Sequence, residues 1–280
     1  MQKNVISLCL GLTLLWAGVA NAVLIDPYDN FHAPDGYYGL LYGNYYTADK
    51  LDTSDGDLDI DLTAKVSVFR GLKYFHLAGI PLAFQVILPF GEVEESKLLN
   101  EKSSGLGDAI FGPAVFLHSD TETNTYLSYW FYIFAPTGEW NRDQTINLGR
   151  NTWYFEHQLA FAKMFGNFVY DMNLNYYHFL EEPDNDYTAP QRFEVEASLA
   201  YQLNEKLILG VNGGGYWDLD EGEANGDSVP GSKTNRVQFG PSIGYQATEQ
   251  LGLTLRWTHD LSAKNDTQGD DFWLRLAYAF

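Results

Sequence analysis

Arginine gives the first chemical lead, because a guanidinium stays charged at any ordinary pH and binds carboxylates through directed hydrogen bonds. Arg192, Arg236, Arg256 and Arg275 fall in the C-terminal third of the chain, each in a stretch where polar and apolar residues alternate. Asp59, Asp61, Asp108, Glu156, Asp171, Glu194, Glu196 and Asp260 share that patterning, with Lys65, Asn173, Asn175 and Gln238. If each stretch is a strand, side chains alternate between two faces, and these residues lie opposite the large apolar ones. A wall carrying both signs of charge has two uses. It can be locked by structural ion pairs, or it can line a narrow polar passage. In the second case the four arginines form a basic ladder facing acids from earlier strands, a field that orients dipolar or anionic solutes.

Catalytic chemistry finds little support. The histidines are His32, His76, His118, His157, His178 and His259; no paired spacing suits a metal, and no Gly-x-Ser-x-Gly turn offers a nucleophile. His178 and His259 are expected on the apolar face near strand ends. The one cysteine, Cys9, excludes a disulfide framework and thiolate-held zinc or iron–sulfur. No cofactor and no metal are expected, and the chain is not expected to be an enzyme. Acidic groups at Asp52–Asp61 and at Asp220, Glu221, Glu223 and Asp227 read as solvated loops, without the spacing of an EF-hand. A net charge of −20 argues against nucleic acid, whose phosphates need a basic footprint.

These side chains need elements to hold them. Period-two alternation marks segments near 36–47, 58–74, 80–90, 107–118, 124–135, 151–164, 167–180, 190–203, 206–219, 234–247, 250–263 and 270–280. Segments of this length suit a tilted bilayer span rather than an ordinary soluble strand. Connections alternate between short turns, such as Phe165-Gly166 and Asn204-Glu205, and long loops such as 91–106 and 136–150. That asymmetry predicts an all-β, transmembrane antiparallel β-barrel of about 12 strands, with short periplasmic turns and long external loops. Residues 1–22 read as a signal peptide: Lys3, an apolar run, then Ala20-Asn21-Ala22. Residues 23–280 form the barrel domain, with 23–35 as a lead-in to the first strand. The expected location is the outer membrane of a Gram-negative bacterium.

The chain ends with Phe272, Leu274, Leu276, Tyr278 and Phe280 at every second position. Such an ending resembles the signal read by the outer-membrane insertion machinery. Tyr37, Tyr38, Tyr45, Tyr46, Trp153, Tyr154, Tyr216 and Trp217 lie near strand ends and are expected at the lipid–water boundary. Tyr126, Trp130 and Tyr132 are expected on the inner wall, as stacking sites for a solute.

Three motifs are more specific. Gly105-Leu106-Gly107-Asp108 precedes Gly112-Pro113; Phe134-Ala135-Pro136-Thr137-Gly138-Glu139-Trp140 closes the fifth segment; Ile146-Asn147-Leu148-Gly149-Arg150-Asn151 follows. In this order they resemble the outer-membrane β-barrel family labelled phenol-degradation meta-pathway (MetA-pathway) transporters, over essentially the whole chain after the leader. The resemblance implies a roughly twelve-stranded barrel passing small hydrophobic or aromatic compounds. Loop 136–150 is expected to fold across the external mouth, carrying Glu139, Trp140, Asn147 and Arg150. Gly149 would permit unusual dihedrals there, and Arg150 would pair with Asp108 or Glu139. The expected function is a channel for passive uptake of small solutes. The alternatives are a plugged structural or adhesive barrel and, least favoured, a barrel hydrolase. Expected partners are outer-membrane lipid and lipopolysaccharide, the insertion machinery and a small solute, with the barrel monomeric.

Overall fold

A computed structural model describes residues 25–280; the expected leader, 1–22, lies outside the described residues. Every regular element among them is a strand: β1 (Gly36–Leu51), β2 (Leu58–Leu77), β3 (Ile80–Glu95), β4 (Glu101–Leu106), β5 (Ala109–Asp120), β6 (Thr125–Ala135), β7 (Tyr154–Phe165), β8 (Phe168–Phe179), β9 (Glu181–Glu182), β10 (Tyr187–Thr188), β11 (Arg192–Gln202), β12 (Leu207–Asp218), β13 (Glu223–Ala224), β14 (Asp227–Ser228), β15 (Asn235–Gln246), β16 (Leu251–Lys264) and β17 (Thr267–Ala279). The short β9, β10, β13 and β14 make a separate four-stranded sheet in the external loops. The others form one antiparallel sheet that closes where β1 pairs with β17. β4 and β5 both pair with β3 and together make one interrupted strand, so the wall has twelve strands, as expected.

Closure follows from the solvent. In hydrocarbon an unpaired backbone N–H or C=O has no water to turn to, so a sheet can span only without edges. The outer face is apolar: Phe69, Phe84, Leu88, Phe239, Leu255 and Phe272 are all exposed. The interior holds buried Asp171, Glu194, Glu196, Arg192, Arg236 and Arg256. A water-soluble barrel places these classes the other way round, so the wall is that of a transmembrane barrel. Phe272, Leu274, Tyr278 and Phe280 are exposed on the outer face, and Leu276, half-buried, keeps the same parity.

β2 departs from expectation. Its inward residues are Ile60, Leu62, Ala64, Val66 and Val68, all buried, whereas Asp59, Asp61 and Lys65 point out of the barrel. The strand has 20 residues, and a tilted span uses about 9–11. Its outer half therefore stands above the bilayer, where outward charges are solvated. There Lys65 pairs with Glu92 at 3.1 Å, Lys102 with Glu92 at 2.9 Å and Lys97 with Asp59 at 3.2 Å. The strand continues inward through Arg70, which bonds to Gln85 and, at 3.5 Å, to the Tyr42 hydroxyl.

Period two also divides the aromatic pairs. Tyr37, Tyr45, Trp153 and Trp217 are exposed on the outer face, while Tyr38, half-buried, and Tyr46, Tyr154 and Tyr216, buried, point inward. Adjacent residues of one strand cannot both face lipid.

The interior has two unlike halves. β1, β2, β3, β5, β6 and β7 present mostly apolar side chains, among them Tyr42, Ile110, Phe116, Trp130, Tyr132 and Tyr154. β11, β12, β15, β16 and β17 present mostly charged and amide side chains. β8 lies at the seam, with Asp171, Asn173 and Asn175 leading to Tyr177 and Phe179.

Candidate functional site: a plugged lumen with two unlike walls

The lead-in segment runs into the lumen. Ile25, Asp26 and Asn30 are buried, although the strand they precede begins only at Gly36. Asp171 on β8 holds the segment by its backbone, accepting the Tyr28 N–H at 2.9 Å and the Asn30 N–H at 3.0 Å. The Asn30 amide donates to Asn173 Oδ1 at 2.8 Å and to the Met172 carbonyl at 3.2 Å. Across the bore, Asp26 meets Arg256 at 2.8 Å and Arg275 at 3.4 Å, and Arg275 also reaches Asp29. Asn212 donates to the Ile25 carbonyl. Phe31 packs on Tyr126 at 5.0 Å between ring centroids. Pattern analysis misses this plug, because the segment has no period of its own.

The remaining arginines are paired on the wall itself. Arg192 binds Asp218 at 2.7 Å, and its guanidinium lies 3.8 Å from the Tyr216 ring centroid. Arg236 approaches Asp260 at 3.6 Å and Asp266 at 3.7 Å. Arg192, Arg236, Arg256 and Arg275 thus line the lumen, but each is neutralised by a nearby carboxylate. A free basic ladder facing distant acids does not form.

Three carboxylates have a different setting. Glu156 on β7 and Glu194 and Glu196 on β11 are buried on either side of β8. Glu196 Oε2 accepts from Asn173 at 2.9 Å and from Asn175 at 3.3 Å; Glu196 Oε1 and Glu194 Oε2 have no hydrogen-bond partner. Glu156 and Glu196 border a cavity of about 100 Å³ together with Trp130, Tyr132, Phe134, Ile110 and Arg70, and Glu156 is the cross-strand neighbour of Tyr132. Trp130 and Tyr132 stack with centroids 5.9 Å apart. A larger vestibule of about 740 Å³ opens among the periplasmic turns, lined by Tyr28, Phe31, Tyr38, Leu72 and Tyr74. Tyr126, Trp130 and Tyr132 face inward, as expected. Arg70 was missed. The signal was available: it shares the parity of Ile60 and Val68, and an arginine facing lipid at mid-bilayer costs about 2–4 kcal/mol, so that face has to be the inner one.

Loop 136–150 does fold over the external mouth. Ile146 and Leu148 are buried against Tyr42, Val66 and Val93. Asp108 does not sit on the lumen wall; it lies between β4 and β5 and caps the loop. Its carboxylate accepts the N–H groups of Gly138 at 2.9 Å, Thr137 at 3.1 Å and Arg150 at 2.9 Å. Arg150 therefore meets Asp108 through its backbone. Its guanidinium instead lies over Phe179 at 4.5 Å and Tyr154 at 5.2 Å from the centroids, and no ion pair with Glu139 forms. Gly149 is required by proximity rather than by an unusual dihedral: a Cβ there would stand 2.7 Å from the Gly138 carbonyl carbon. The positive φ, 56°, belongs to Asn151. Asn147 staples the loop, accepting from the Asn141 N–H at 2.7 Å and donating to the Gln144 carbonyl at 3.1 Å. Trp140 donates to Asp184 at 3.2 Å, joining this loop to its neighbour.

At the opposite loop edge Asp266, between β16 and β17, bonds to the Tyr216 hydroxyl. Burial pushes its carboxyl up to about 7, despite a hydrogen bond from the Thr267 N–H. At the periplasmic mouth, burial and then the neighbouring His76 hold His32 below the usual imidazole value, with Asp35 opposing them. His178 and His259 are exposed, as expected for the outer face; His259 bonds Asp270 at 3.1 Å.

The closed wall, apolar outer band and polar bore define an outer-membrane β-barrel. The chain belongs to the family described as "Putative MetA-pathway of phenol degradation", which matches residues 46–276. It is similar to the COG4313 outer membrane channel from Pseudomonas putida F1, at 24% identity and TM-score 0.85, over 91% of this chain and 100% of that one. A Pseudomonas aeruginosa FadL homologue is more remote, at 9% identity and TM-score 0.49 over 92% of this chain and 96% of that one. No protein of curated function matches the chain in sequence.

Proposed function

We propose that this protein is an outer-membrane channel for the passive uptake of small solutes with an aromatic or hydrophobic face. The observation that carries the reading is the two-sided bore. Trp130, Tyr132 and Phe134 on β6 offer ring faces in the 100 Å³ cavity, while Glu156, Glu196, Asn173 and Asn175 on β7, β8 and β11 beside them offer hydrogen-bond acceptors and donors. A phenol-like molecule has that division. Each aromatic contact is worth about 0.5–1.5 kcal/mol, enough to hold a solute briefly and weak enough to release it. The family description, with its reference to phenol degradation, and the solved channel of the same fold support the same reading.

Passage requires the lead-in segment to yield, since it crosses the bore. The outer band would meet lipid and lipopolysaccharide, and the terminal Phe280 strand would be read by the insertion machinery. One chain closes the barrel by itself, which suits a monomer. The ion pairs of Asp26 favour a second reading, a barrel held shut for a structural role. Conductance of the refolded residues 23–280 separates the two. Arg256→Gln with Arg275→Gln strands Asp26 and Asp29 without their cations, and removing one partner of a buried pair costs about 3–5 kcal/mol. A channel should conduct in brief steps as wild type and stay open longer in the double variant. A folded double variant that never conducts leaves the structural reading.

A further inference from the structure

The geometry points to a divalent transition-metal site at the periplasmic mouth, formed by His32, His76 and Asp35, that staples the plug segment to the barrel wall. One ligand atom from each of these residues lies within 4.8 Å of the others, and among the described residues no other histidine, cysteine or carboxylate group converges in this way. Their origins matter. His32 and Asp35 belong to the lead-in segment that carries Asp26 and Asn30 into the bore, and His76 is at the end of β2, next to its turn. An ion shared by the three would tie a movable segment to a fixed strand.

The donor set sets the class of ion. Two imidazoles and one carboxylate suit zinc, nickel or copper, whereas calcium and magnesium prefer all-oxygen shells. The His32 ring keeps one nitrogen available. Its Nδ1 shares a hydrogen bond with Ser119 Oγ at 2.9 Å, leaving Nε2 buried and without a hydrogen-bond partner. His76 Nδ1 and Asp35 Oδ1 are 2.8 Å apart, and the His32 and His76 ring centroids are 5.6 Å apart. Ligands on a tetrahedral zinc stand about 3.4 Å from one another. Exposed Asp35 and His76 need only a shift of about an ångström to reach that spacing, the ion replacing the proton between them. The three residues line an open pocket of about 660 Å³ with His118 beside them, so an ion has an entry path.

Binding is independent of the channel reading; its effect on opening rests on that reading. The test is titration of the refolded chain in detergent with zinc chloride, wild type against His32→Ala, His76→Ala and His259→Ala, the last at the far end of the barrel. One zinc per barrel is expected, weakened at least tenfold by the first two changes and unaffected by the third. Hydrogen exchange of residues 26–34, followed by mass spectrometry, adds a readout that binding at a loose surface histidine would not move. At zinc a hundredfold above its Kd, exchange of this segment should slow about a hundredfold in wild type and not at all in His76→Ala. Wild-type protein that takes up no zinc overturns the proposal. So does zinc bound equally well by all variants, or zinc that leaves exchange of 26–34 unchanged.

Discussion

Asp171 shows how much a single side chain does here. It is fully buried, and its two oxygens hold the plug by two backbone N–H groups rather than by charge pairing. Hydrogen bonds to a charged group contribute about 1.5–3 kcal/mol each. Asp171→Ala should therefore raise the open fraction of the proposed channel by tenfold or more, read as open time in single-channel records. No change would mean that the segment is held elsewhere. Asp266 supplies a pH dependence. The unfolded chain loses this proton near 3.8, and the folded one near 7, so the fold binds the proton more tightly between those values. Stability of this loop edge should fall as pH rises through that window and level off above it. Protease cleavage near 264–267 should be faster at pH 8 than at pH 5, and Asp266→Asn should remove the difference. Which residues face the bore was legible from alternation for Glu156, Asp171, Glu194, Glu196 and the four arginines. Which acid each arginine would find was not, because Asp218 and Asp260 sit on strands whose register only pairing decides, and Asp266 lies in the turn between β16 and β17.

Among the elements, β2 and loop 136–150 carry the most weight. Period two located β2, but two faces of a half-apolar strand look alike until one residue breaks the tie, and Arg70 is that residue. The loop was recognisable from its turn residues and its family motif. Its latch was not, since it depends on contacts more than 25 residues apart, such as Asp108 with Gly138 and Arg150. Gly138 and Gly149 approach so closely that a methyl on Gly138 would stand 2.6 Å from the Gly149 Cα. Gly138→Ala should open the latch at a cost of about 1–3 kcal/mol, the usual range for an overpacked site. The expected result is faster external proteolysis between 136 and 150 with the barrel itself intact. An unchanged cleavage rate would show that the loop tolerates the methyl and that Asp108 alone holds it.

At the scale of the molecule, the chain builds a barrel whose bore is neither open nor simply filled. The apolar and polar halves meet along β8, and the lead-in segment occupies the bore through the ion pairs of Asp26 and the hydrogen bonds of Asp171. Segment length, alternation and loop asymmetry made the twelve-strand wall legible. The plug was not, because a segment without periodicity reveals its place only through its partners. The most direct test is single-channel conductance of residues 23–280 in planar bilayers with phenol added, comparing wild type with Trp130→Ala. Phenol should interrupt the current in wild type, with block about two- to tenfold weaker once the Trp130 ring is gone. A folded barrel that conducts but is blind to phenol, or that is blocked equally well without Trp130, would contradict an aromatic path through this bore.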